Sequence, residues 1–98
     1  MGAGSQRFEF ALIRYEIEFK VSAAKSLKAL PRKIQLRIAG VVETLATNPF
    51  PPASKKLTGR DAYRIRVSDY RLIYTVHENV LVVVVVAIGH RKEIYRRP

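Results

Sequence analysis

Residues 63–77 read YRIRVSDYRLIYTVH. Two alternating runs flank Ser68-Asp69, a polar pair suited to a tight hairpin turn. Whether the loop is two residues (Ser68, Asp69) or four (Val67 to Tyr70), Arg66 falls opposite Arg71. Successive side chains of a strand point to opposite faces, so Arg64, Arg66 and Arg71 share one face. Tyr63, Ile65, Val67, Tyr70, Leu72 and Tyr74 share the other, and an apolar sheet face needs a second layer to cover it.

The covering layer lies upstream. The segment PRKIQLRIAGVVETLATNP, residues 31–49, sets Ile34, Ile38, Val41, Val42 and Leu45 on one helical stripe. Pro31 suits its first turn and Asn48-Pro49 stops it. Before it, Val21, Ala24, Leu27 and Leu30 give a shorter helix a face, with Ser22 as its N-cap. The stretch RYEIEF, residues 14–19, alternates as a strand. FPPASKKLTGRD, residues 50–61, reads as a loop from its prolines, glycine and polar residues.

Downstream, VLVVVVVAI, residues 80–88, is a third strand of the hairpin series, joined at Glu78-Asn79. Its aliphatic run reads as a central or near-central strand covered on both faces. A turn at Glu78-Asn79 pairs Val86 with Arg71, so the chain leaves Ile88 beside Arg66 and Arg71, with Gly89 free to bend. The order β-α-α-β-β-β predicts an α+β fold: a small antiparallel-rich sheet, a helical hairpin on one face, and a C-terminal tail. Residues 14–98 form a single domain, with residues 1–13 an N-terminal extension (a frayed end or an expression remnant).

Composition narrows the functional classes. The 98 residues hold 18 lysines and arginines against 8 acids, a net charge of +10. Such imbalance costs self-repulsion and points to nucleic acid, an acidic partner or an anionic surface. The longest apolar run, Val80 to Ile88, is far shorter than the roughly 18 residues of a membrane helix. The first residues have no apolar core of a signal peptide, and a cytoplasmic location is expected. Cysteine is absent, so neither disulfides nor a thiolate metal site arises.

The arginine face has a bland reading and a sharp one. Surface arginines are commonly just solvated. Arg66 and Arg71 directly opposite one another, however, repel. An anion resolves that repulsion, and a phosphate fits best, since guanidinium groups fork onto its oxygens.

At these residues the sequence resembles the RelE-type toxins of type II toxin–antitoxin systems, within the RelE/ParE superfamily. KKLTGRDAYRIRVSDYRLIY (55–74) and IGHRKEIY (88–95) carry the likeness, supported by LPRKIQLRI and LATNPFPP around the second helix. It spans about residues 14–97. The resemblance implies a metal-free, ribosome-dependent endoribonuclease that cleaves mRNA in the decoding site by attack of a ribose 2′-OH on the adjacent phosphate. Arg64, Arg66, Arg71, Arg91 and Tyr95 fall on the positions implied to be catalytic. Some members have lysine where Arg64 and Arg66 stand. Arginine keeps its proton and is a poor base, so these two are expected to clamp phosphate. The base is then sought in Tyr95, in His90, or in the RNA and ribosome.

Lys25, Lys28, Arg37, Lys55, Lys56, Lys92, Arg96 and Arg97 are candidates for contact with RNA or ribosome, or are simply solvated. His77, at a hairpin end, reads as structural. The resemblance also implies a cognate RelB-type antitoxin, the ribosome and mRNA as partners, DNA only indirectly through the antitoxin, and no membrane. Two other readings stand beside it: a ParE-like inhibitor of DNA gyrase, and a non-catalytic basic module for nucleic acid or an acidic partner.

Overall fold

The computed structural model describes residues 13–90. Its elements in chain order are β1 (Glu16–Phe19), α1 (Val21–Lys28), α2 (Arg32–Thr47), β2 (Lys55–Lys56), β3 (Tyr63–Val67), β4 (Tyr70–His77) and β5 (Val82–His90). The five strands form one mixed sheet in the order β1-β5-β4-β3-β2. β1 runs parallel to β5; the other neighbours are antiparallel. The expected α+β order is present, with one addition. Within the 50–61 loop, Lys55 and Lys56 pair with Arg64 and Tyr63 as a two-residue edge strand. Two lysines on a short strand also suit an edge, where charge discourages further pairing.

The helices cover one face. Ile38 and Leu45 of α2 and Ala23 of α1 are buried against Ile65, Val67, Leu72, Tyr74, Val83, Val85 and Ile88. The α2 stripe is the expected one. The α1 start is not: Lys20 is its N-cap, and Ser22 lies inside the helix, where its carbonyl accepts from Ser26 Oγ at 3.0 Å. The reason is the abrupt exit from β1. Lys20 N–H still donates to Val85 O (3.0 Å), so the last sheet bond and the first helical turn share one residue. Val21 is consequently exposed, and the buried edge runs through Ala23 and Leu27.

Tyr74 anchors the crossing from helix to sheet. It is fully buried, and its hydroxyl donates to Pro49 O at 2.9 Å. Its ring stacks on Tyr63 at 5.8 Å, and Phe50 packs edge-on against Tyr63. Tyr63 and Tyr74 are structural, as their positions in the sequence suggested.

The second hairpin departs from expectation at two points. His77 pairs with Val82, so its loop is Glu78–Leu81 rather than Glu78-Asn79 alone, and Leu81 is left-handed at φ 57°. The register also shifts once more, since Ile73 pairs with Ala87 but Tyr74 pairs with Val85. Val86 is thus an extra residue, a β-bulge. As a result Arg71 faces Gly89, not Val86. β5 is near-central, as expected: it lies between β1 and β4, with β4 in the middle of the sheet. Val83, Val85 and Ile88 are buried under the helices, while Val82, Val84 and Val86 are only half-buried. Among the described residues, no helix or strand layer stands on the second face. No helix there is long and apolar enough to cross a membrane.

Candidate functional site

The face of β2, β3 and β4 away from the helices carries a cleft of about 240 Å³ lined by Ala53, Lys55, Arg64, Arg66 and Arg71. Three strands bring these residues together. Lys55 pairs with Arg64, and Arg66 pairs with Arg71. Paired residues on neighbouring strands lie side by side, about 5 Å apart at Cβ, so two like-charged pairs sit next to each other. Among the described residues, every ionisable group in the lining is a cation, and no carboxylate is among them. The fold keeps this arrangement because the alternation that turns the arginines outward turns Ile65, Val67 and Leu72 into the core.

Arg66 is held by the adjacent turn. Its Nε–H donates to Ser68 O at 3.1 Å, and Ser68 is left-handed at φ 57°. From the helical layer, Arg37 Nη1 donates to Ser68 Oγ at 2.9 Å. Neither contact was visible in the sequence, since serine at a turn gives no sign of which group its carbonyl will serve.

The remaining candidates divide by layer. Lys55 joins the cleft; the alternation turns Lys56 away, and its ammonium stands 3.9 Å from Asp61. Lys25, Lys28 and Arg37 belong to the helices on the opposite side of the sheet. His90 also falls on that opposite side. It pairs with Tyr70, and the two rings pack edge-on at 5.8 Å. The bulge at Val86 is the cause, for it reverses the alternation of every β5 residue after it. Gly89, not His90, therefore stands beside Arg71. His77 contacts Thr75 Oγ1 through its ring Nε2 at 3.0 Å. Arg91, Lys92, Tyr95, Arg96 and Arg97 lie outside the described residues.

The arrangement can do one thing well. Several fixed cations converge on a shallow opening, where they can fork onto a polyanion and stabilise charge that builds up on it.

Comparison with known proteins gives a consistent result. The family model described as the ParE toxin of the type II toxin–antitoxin system parDE matches residues 17–95. A RelE-like toxin protein of Escherichia coli is 34% identical over 82 residues, covering 82% of this chain and 86% of that protein. The isolated RelE toxin of E. coli superposes with a TM-score of 0.71 at 30% identity, covering 84% of this chain and 92% of that one. The RelE–RelB complex of Pyrococcus horikoshii contains a chain with a TM-score of 0.70 and 27% identity, covering 81% of this chain and 97% of that one.

Proposed function

This chain belongs to the RelE/ParE superfamily of type II toxin–antitoxin toxins, and from that premise we propose that it is a ribosome-dependent endoribonuclease that cuts mRNA in the decoding site. The observation that carries the reading is the cleft itself: three guanidinium groups and one ammonium, with no acid among the described residues of the lining. A phosphodiester is the ligand such a lining suits.

In this reading the RNA supplies its own nucleophile. The ribose 2′-OH loses its proton and its oxygen bonds to the adjacent phosphorus. The bond from phosphorus to the 5′-oxygen breaks, and that oxygen takes up a proton. A 2′,3′-cyclic phosphate and a 5′-hydroxyl result. Between the two, extra negative charge builds on the non-bridging oxygens, and fixed cations stabilise it most in a site with little water. Arg64, Arg66 and Arg71 clamp that phosphate, with Lys55 beside Arg64. Arg91 is assigned the leaving oxygen and Tyr95 a neighbouring base, by their match to the family pattern. His90 packs on Tyr70 across the sheet, so the proton acceptor for the 2′-OH is sought in Tyr95 or in groups of the RNA and ribosome.

A partner follows from the same premise. The similar RelE of P. horikoshii is found with RelB, and a cognate antitoxin with acidic segments is proposed for this chain. The ParE description of the family model favours one rival, inhibition of gyrase. Purified ribosomes programmed with mRNA separate the two. Cuts within the decoding site, lost in Arg91→Ala without loss of folding, are expected. Intact mRNA together with blocked supercoiling by gyrase would overturn the nuclease reading.

A further inference from the structure

We propose that Ser68 is a positioning residue for the cleft: its carbonyl fixes the Arg66 guanidinium, and Arg37 of α2 fixes Ser68 in turn. The inference rests on the nuclease reading for what Arg66 acts on, but not for how Arg66 is held.

Three observations converge on this turn. Arg66 Nε–H donates to Ser68 O at 3.1 Å. Arg37 Nη1 donates to Ser68 Oγ at 2.9 Å. Ser68 has φ 57°, a conformation few non-glycine residues adopt. The first contact sets the plane of a rigid group. Once Nε–H is committed to a carbonyl, the guanidinium can no longer spin about its stem, and its remaining donors keep one direction. A fork onto two phosphate oxygens needs such a fixed plane.

The tether matters more here than at an ordinary surface arginine. Arg66 is exposed and lies directly opposite Arg71. Repulsion between the two favours rotamers that swing Arg66 into solvent. The carbonyl of Ser68 holds it back, and the left-handed φ is what aims that carbonyl. A change of φ to the extended region would rotate the peptide and remove the acceptor. The Arg37 contact supports the conformation from the far side of the sheet, because the turn lies at the sheet's end, where both layers reach it. Arg37, a candidate for RNA contact from its charge, thus has a task within the fold.

The test uses the full chain and four substitutions. Ser68→Gly tolerates φ 57° and keeps the carbonyl but loses the hydroxyl that Arg37 reaches. Ser68→Val opposes that φ. Arg37→Ala removes the second donor, and Arg66→Ala removes the guanidinium. Solvent exchange of the Arg66 Nε–H is read by 15N NMR, alongside kcat and KM for ribosomal mRNA cleavage. Exchange is expected to be slow in wild type, moderately faster in Ser68→Gly and Arg37→Ala, which both lose the contact of Arg37 with the Ser68 hydroxyl, and about tenfold faster in Ser68→Val, the effect of one charged hydrogen bond. kcat should fall by a similar factor in Ser68→Val with KM little changed, and Ser68→Val added to Arg66→Ala should cost nothing further. Unchanged Nε–H exchange in Ser68→Val overturns the proposal, as does an undiminished Ser68→Val penalty in the Arg66→Ala background. If Ser68→Val does not fold, Arg37→Ala decides the same point, and unchanged exchange there overturns it. Should wild type cut no mRNA, the nuclease reading fails while the exchange measurement still judges this one.

Discussion

At Arg66 function and stability pull in opposite directions. Its guanidinium faces that of Arg71 across adjacent strands, and a like-charged pair there costs roughly 0.2–1 kcal/mol. Arg66→Ala should lower mRNA cleavage by about 100-fold, the usual effect of removing one donor to a developing oxyanion. Its thermal stability should respond less to added salt than that of wild type, because salt screens the repulsion that the substitution removes. Thermal melts of both proteins across a salt series check this, and an equal salt response would show that the pair does not repel.

Tyr74 gives a second residue-scale prediction. Burial pushes its phenol above the ordinary value of 10.0, a hydrogen bond to Ser54 pulls the other way, and Tyr63 adds to the rise. A folded-state pKa above the unfolded one contributes stability that is complete below about pH 10 and is lost as pH rises through the folded value. Tyr74→Phe should therefore be about 1 kcal/mol less stable near neutrality, having lost the bond to Pro49 O. It should also lose less stability than wild type above pH 10. Denaturant unfolding at pH 8 and pH 11 reads both effects.

Among the elements, the loop between β4 and β5 carries local strain. Leu81 is 42% exposed and sits at φ 57°, where a side chain costs roughly 1–2 kcal/mol relative to the right-handed region. Leu81→Gly should raise Tm or leave it unchanged despite glycine's greater unfolded-state freedom, and a clear fall would mean that the leucine packs productively. This loop also marks where the sequence stopped being legible. The hairpin at Ser68-Asp69 could be read because charged and apolar residues alternate on both arms, so only one register satisfies both. In VVVVV, residues 82–86, every position is equally apolar. Neither a longer loop nor an extra residue leaves a trace there. The α2 stripe was legible for the same reason as the first hairpin. Lys55-Lys56 was not, since an edge strand of two lysines has no apolar face to announce it.

At the scale of the whole molecule, the charge sets a measurable dependence. Single-stranded RNA releases counterions on binding, with a slope of about −0.7 in log affinity against log salt for each phosphate neutralised. If the four cations of the cleft each neutralise one phosphate, they contribute about −2.8 to the slope, and each arginine-to-alanine change there should reduce it by about 0.7. Titration of a short RNA at several salt concentrations gives the slope directly. A slope unchanged by Arg64→Ala or Arg71→Ala would place the RNA elsewhere on the surface. The net charge of +10 supplies attraction to any polyanion, and the cleft is the place where cations from three strands converge.

The extra residue in β5 has a consequence for how such a protein can change. Val86 is the residue that the ladder skips, so from Ala87 onward each residue keeps its partner and its side whether or not Val86 is present. Removing Val86 would straighten the strand opposite Ile73 and Tyr74 and leave Arg71 opposite Gly89 and Tyr70 opposite His90. The strand therefore holds one spare residue, and loss of a single codon there can be absorbed without changing what stands beside the arginines.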